Sequence, residues 1–237
     1  MWNSVDRVQA RLQAVLGRIA SAARAAGRDP TSVSLVAVSK TFPVDAVTAV
    51  HAAGQVAFGE NYVQEAIDKI ETLRPQRGEL EWHFIGPLQS NKTRAVAEQF
   101  DWVQSVDRLK VAQRLSEQRP PDLTPLNVLL QVNISGEGSK SGVAPGDVES
   151  LARAVGQLPR LKLRGLMAIP EPEADAALQR APLAAMRALF DRLRAAGFDI
   201  DTLSMGMSAD LEPAVLEGTT MVRIGTAIFG ERERTTQ

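Results

Sequence analysis

The stretch Leu35-Val36-Ala37-Val38-Ser39-Lys40-Thr41-Phe42-Pro43 decides how this chain is read. Four apolar residues ending in the polar pair Ser39-Lys40 predict a buried strand. Pro43 is suited to open a helix, because the first helical turn does not need its missing N–H. Lys40 therefore falls at the carboxyl end of a strand, where α/β proteins build their ligand sites. A partly desolvated lysine there loses its proton more readily and can attack a carbonyl. The plain alternative is a solvated lysine at a strand end.

Working outward, the same rhythm repeats. Strands are predicted over 34–39, 56–60, 82–86, 101–106, 127–133, 161–168, 202–206 and 221–225. Alanine- and charge-rich helices fit between them, near 43–53, 62–73, 90–99, 107–118, 145–157, 175–196 and 209–217, with a short or irregular helix after 225. Ahead of the series, Val5, Val8, Leu12, Val15, Leu16 and Ile19 share one helical face, and Gly27 and Pro30 close that helix. Strict alternation predicts parallel pairing. The fold expected is α/β, a single (β/α)8 TIM barrel with an extra N-terminal helix, one domain over residues 1–237. Periodicity does not report closure, so a doubly wound open sheet remains the alternative.

Composition narrows the function. The chain carries 27 basic and 28 acidic residues, a net charge of −1, and the basic residues are scattered among few aromatics. Neither a nucleic acid nor an anionic membrane is an expected partner. There is no cysteine, which excludes disulfides, thiolate catalysis and zinc–thiolate sites. Two histidines, His51 and His83, are too few for a histidine-rich metal site, and no metal is expected. The amino terminus does not read as a secretory signal, and no apolar run approaches membrane-spanning length. A soluble, cytoplasmic, monomeric protein is expected.

In the barrel frame, Lys40, Gly59-Glu60-Asn61, His83, Gly86-Pro87, Asn133, Met167, Met205-Gly206-Met207-Ser208 and Arg223-Ile224-Gly225-Thr226 all approach one mouth. The groups after strands seven and eight suit an anion. Ser208 precedes a helix start and offers a hydroxyl, Gly225 permits close backbone approach, and Thr226 adds a second hydroxyl. Equally, Ser208 merely caps and Gly225 merely turns. His83 lies inside an apolar strand, where a wall or core histidine is commoner than a general base. Tyr62 reads as a packing residue by default. Gly136-Glu137-Gly138-Ser139-Lys140-Ser141-Gly142 fails as a P-loop, since Ser139 stands where glycine must precede the lysine; a flexible lid is expected there instead. A carbonyl-attacking lysine beside a phosphate site fits a phosphorylated aldehyde, either pyridoxal phosphate or the sugar phosphate of a class I aldolase.

Several motifs then carry a specific resemblance. They are Leu35-Val36-Ala37-Val38-Ser39-Lys40, Phe58-Gly59-Glu60-Asn61-Tyr62, Trp82-His83-Phe84-Ile85-Gly86-Pro87-Leu88-Gln89-Ser90-Asn91-Lys92, Gly165-Leu166-Met167, Leu203-Ser204-Met205-Gly206-Met207-Ser208, and Met221 to Gly230. In this order they resemble the pyridoxal phosphate homeostasis protein family over nearly the whole chain. The resemblance implies a fold-type III barrel similar to the amino-terminal domain of alanine racemase. It implies that Lys40 holds pyridoxal 5'-phosphate as an internal aldimine, that Ser208, Gly225 and Thr226 hold the phosphate, that Arg223 faces the pyridine nitrogen, and that Asn61 and His83 are neighbours of the cofactor. It further implies no catalytic residues and no established turnover, a role in vitamin B6 balance, and apo-enzymes that use the cofactor as recipients. The chain stops soon after the eighth strand, so the second domain of the racemases is expected to be missing. A small fold-type III enzyme, such as an amino-acid racemase, is the alternative.

Overall fold

The structure is a computed structural model that describes residues 5–136, 141–171, 173 and 175–231. The predicted lid residues Glu137 to Lys140 and the tail after Glu231 lie outside the described residues. Eight strands are present: β1 Ser34–Val38, β2 Ala57–Glu60, β3 Glu81–Phe84, β4 Trp102–Val106, β5 Leu126–Gln131, β6 Leu161–Met167, β7 Thr202–Ser204 and β8 Met221–Ile224. The helices are α1 Val5–Ala25, α2 Val44–Ala52, α3 Val63–Thr72, α4 Thr93–Gln99, α5 Leu109–Gln118, α6 Val148–Val155, α7 Ala176–Ala195, α8 Leu211–Leu216 and α9 Thr226–Phe229. Each strand pairs in parallel with the next, and β8 returns to β1 with Ser34 opposite Met221 and Ala37 opposite Ile224. The sheet is a closed barrel, so the open-sheet alternative is set aside.

Side-chain alternation along the strands separates two cores. Leu35 and Ala37 point outward into the large core beneath the helices. Val36 points inward and packs with Trp102, Leu129, Met167 and Met221 in the barrel lumen. The outer faces of β8 and β1 need cover, and α9 is a single turn. The leading helix α1 supplies that cover: it packs against α8, α9 and α2, with Val8, Leu12, Val15 and Ile19 buried. Leu16 departs from the expected apolar face and is 38% exposed. Two arginines rivet this region. Arg28 donates to the carbonyls of Val215 at 2.9 Å and Thr219 at 2.8 Å, and Arg18 meets Glu212 through two bonds at 2.7 and 2.8 Å.

Elements end earlier than local pattern suggests. β1 stops at Val38, so Ser39 and Lys40 belong to the turn that follows. α8 begins at Leu211, so Ser208 does not cap it; Asp210 precedes the helix and accepts from the Met207 N–H at 2.6 Å. Tyr62 stands before α3 and is 54% exposed, which sets aside its packing role. No helix among the described residues is long and apolar enough to cross a membrane.

Candidate functional site

A cavity of about 320 Å³ opens at the carboxyl end of the strands, within the range of small-ligand pockets. Lys40, Asn61, Ser208, Arg223, Gly225 and Thr226 line it together, against an apolar wall of Val38, Phe42, Ile85 and Ile169. The polar residues come from the ends of β1, β2, β7 and β8, and Ile85 and Ile169 follow β3 and β6. Barrel closure alone brings Lys40 beside Gly225, because β1 and β8 are neighbours only once the sheet is sealed.

Among the described residues the lining contains two cationic side chains and two hydroxyls and no carboxylate. Arg223 is buried, donating to Ser204 Oγ at 2.6 Å and to the Ala168 carbonyl at 2.8 Å. Burial pushes its pKa down to about 10, so it remains charged at neutral pH. Ser208 is half-buried, and its carbonyl accepts from Arg18 Nη2 at 3.1 Å, which ties the loop after β7 to α1. Gly225 leaves room in the floor: a Cβ there would come within 3.2 Å of the Val38 carbonyl oxygen. Gly86 fixes the opposite wall, since a Cβ at that position would fall 2.3 Å from the Asn61 carbonyl oxygen. That close backbone approach holds Asn61, whose Oδ1 is buried with no hydrogen-bond partner among the described residues. A buried acceptor left unbonded is costly and points to a ligand donor.

His83 is placed differently from the expectation that it adjoins the mouth. It is fully buried in the lumen and does not line the cavity. The reason is its register. Ile85, two residues later on the same inward face, takes the place at the mouth. His83 instead lies stacked on Trp102 with ring centroids 5.2 Å apart. Its Nδ1 accepts from Gln104 Nε2 at 2.9 Å, and its Nε2–H donates to Glu81 Oε1 at 2.7 Å. Gln104 Oε1 in turn accepts from Ser204 Oγ at 2.7 Å. A directed series of hydrogen bonds thus descends from Arg223 through Ser204, Gln104 and His83 to Glu81. Burial raises the Glu81 pKa, but the His83 hydrogen bond and the nearby Arg164 charge outweigh it and leave the carboxyl below its usual range. Sequence reasoning did not mark Ser204, Gln104 or Glu81. The available signal was polar residues within otherwise apolar strands, as in Trp102-Val103-Gln104. Among the described residues no cluster of His, Asp and Glu is suited to a metal ion.

Fold and site together define a closed (β/α)8 barrel with a lysine-bearing, cationic cavity at the carboxyl ends of its strands. Comparison with known proteins gives that class a family. The alanine racemase N-terminal domain family matches residues 11–233. The pyridoxal phosphate homeostasis protein of Pseudomonas aeruginosa is 63% identical over 219 residues, covering 92% of this chain and 93% of the relative. The protein of the same name from Escherichia coli K12 is 54% identical over 223 residues, covering 94% and 95%. PipY of Synechococcus elongatus, solved with PLP bound, superposes with a TM-score of 0.82 at 37% identity, covering 94% of this chain and 100% of PipY. An alanine racemase from Clostridium difficile shares the fold, with a TM-score of 0.76 at 15% identity; the match covers 97% of this chain and 58% of the racemase. The chain belongs to the pyridoxal phosphate homeostasis protein family.

Proposed function

We propose that this chain binds pyridoxal 5'-phosphate in the mouth cavity, with Lys40 Nζ as its covalent anchor, and serves vitamin B6 homeostasis as a carrier without turnover. The observation that carries the reading is the lining itself: a lysine, a buried arginine, two hydroxyls and an unbonded Asn61 acceptor, with no carboxylate among the described residues. This donor set fits a dianionic aldehyde. When bound, the cofactor supplies an aldehyde that condenses with a primary amine, releasing water, and a ring whose power as an electron sink depends on its nitrogen.

The residues divide the work by chemistry. Ser208 and Thr226 offer hydroxyls to the phosphate, and Gly225 lets the backbone approach it. Arg223 faces the ring nitrogen, and a charged guanidinium there disfavours a proton on that nitrogen. The electron sink is weakened, which supports holding the cofactor over transforming an amino acid. Asn61 stands beside the ring. His83 acts from below, holding Gln104 and Ser204 in the orientation that aims Arg223. We read the protein as a cytoplasmic monomer, a single barrel unit over residues 1–237, that passes its cofactor to apo-enzymes by amine exchange at Lys40.

Borohydride reduction of the holo-protein followed by peptide mapping tests the anchor. The label should sit on Lys40; a label confined to Lys92 would overturn the assignment. The carrier role is tested by mixing the holo-protein with an apo-enzyme, whose activity should recover faster than free cofactor is released. The racemase-like barrel favours a second reading, amino-acid turnover. Racemisation or α-proton exchange at about 1–1000 per second would establish it in place of the carrier.

A further inference from the structure

Lys40 is carried by an unusual turn. Thr41, the next residue, has φ +67°, and it is the one non-glycine residue at positive φ among the described residues. Such a conformation persists only where its surroundings over-determine it. The surroundings here are a buried ionic cluster behind the cavity. Lys69, on α3, is 5% exposed and donates to three acceptors: the Ser39 carbonyl at 2.8 Å, Glu60 Oε1 at 2.7 Å and Glu65 Oε1 at 2.7 Å. An ammonium has three protons, so its donors are fully used. The same acceptors also reach the turn directly. Ser39 Oγ donates to Glu60 Oε1 at 2.6 Å, and the Thr41 N–H donates to Glu65 Oε1 at 2.6 Å. Both residues that flank Lys40 are therefore bonded to the cluster. Glu60, Glu65 and Lys69 are all absent from the cavity lining, so the cluster stands behind Lys40 and does not face the ligand.

We propose that Lys69, acting with Glu60 and Glu65, is the positioning residue of Lys40: it locks the Ser39–Thr41 backbone so that the Lys40 amine is presented to the carbonyl of a bound aldehyde. The inference rests on the reading that Lys40 is the covalent anchor. A buried ion cluster is an expensive way to stabilise a fold, since well-packed apolar residues often do as well. Its use here follows from what it holds. Short, charge-assisted bonds to the Ser39 carbonyl and the Thr41 N–H fix the turn backbone on both sides of Lys40. Reactions between held groups are steep in geometry, and a displacement of about 1 Å can cost about a hundredfold in rate.

The test compares two ligands that differ at one carbon. Pyridoxal 5'-phosphate has the aldehyde that Lys40 engages, and pyridoxine 5'-phosphate has an alcohol there and reports the cavity alone. In Lys69→Met, capture of pyridoxal phosphate by Lys40, followed by the visible absorbance and by borohydride trapping, should slow at least about tenfold. The dissociation constant for pyridoxine phosphate should change less than twofold. Lys69→Met leaves Glu60 buried without its cation and can unfold the chain. Glu65→Ala loosens the same turn from the half-buried rim without stranding a buried charge, and it should slow capture in the same selective way. Unchanged capture in a folded variant overturns the inference. Equal loss of both ligands also overturns it, because that pattern describes a damaged cavity. Failure of the unaltered protein to carry the label on Lys40 is a different result, which removes the anchor reading and this inference with it.

Discussion

Arg164 and Arg223 occupy opposite ends of the same barrel, and their surroundings differ in kind. At the amino-terminal end, Arg164 binds Asp201 through Nε and Nη2 at 2.7 to 3.2 Å, reaches Asn127 Oδ1 at 3.1 Å and lies 4.7 Å over the Trp102 ring. Nearby, Arg77 meets Asp101 at 2.8 Å, and the other oxygen of Asp101 accepts from the Trp82 N–H. Charge there is cancelled within the protein. At the carboxyl end, Arg223 donates to a hydroxyl and a carbonyl, and among the described residues no carboxylate lines the cavity in front of it. Two arginines of one lumen thus do two jobs. The paired end stabilises the fold, as the lower face of such barrels generally does, and the carboxyl end keeps a buried guanidinium on neutral acceptors at the proposed ligand site.

The sharpest way to break this contrast is at the anchor. Lys40→Ala should abolish both the visible band and the borohydride label, while phosphate contacts retain weak binding and the apo-protein melts as before. Next in size is Thr226→Val. Loss of one hydrogen bond to a charged group costs about 1.5–3 kcal/mol, so the dissociation constant for pyridoxal phosphate should rise about tenfold or more. Pyridoxal without its phosphate should bind this variant and the unaltered protein alike. At the other end, Arg164→Leu should do the reverse. The pair it removes is partly exposed, with side chains 24% and 60% accessible, so solvent screening limits the loss to about 1 kcal/mol, a fall of about 2–4 °C in Tm for a chain of this size. Cofactor affinity should stay within twofold; a parallel loss of affinity would mean that the two ends are not independent.

The smallest effect is in the pH profile. Burial raises the Asp201 carboxyl, but its bonds to Arg164 and Thr202 outweigh this and hold it below the usual range, and Glu81 is depressed as well. A depressed carboxyl contributes stability above its unfolded pKa, about 3.9 for Asp and 4.3 for Glu, and loses it as pH falls through the folded value. Glu60 behaves oppositely: burial raises it despite Lys69 and Ser39, so its own titration favours the fold as pH falls. Acid melts below about pH 4 should therefore report the lower end, and Arg164→Leu should flatten that limb. An unchanged limb would remove the Arg164–Asp201 pair from the account.

Local pattern suffices for the alternation of strands and helices and for the placement of Lys40, Asn61, Ser208, Arg223, Gly225 and Thr226 at strand ends. Those features are written in short windows: apolar runs, the proline after Lys40, the glycine between Ile224 and Thr226. The rest depends on long-range packing. Closure of β8 onto β1 sealed the cavity, and α1 took the place that a four-residue α9 leaves uncovered. Register sent His83 below the mouth and Ile85 to it. Gln104 and Ser204 meet across 100 residues of chain, and Lys69 reaches the Ser39 carbonyl across 30. Local pattern carries which face of a strand a residue lies on. It does not carry which distant polar group meets it there, because that depends on how eight twisted strands close and at what register.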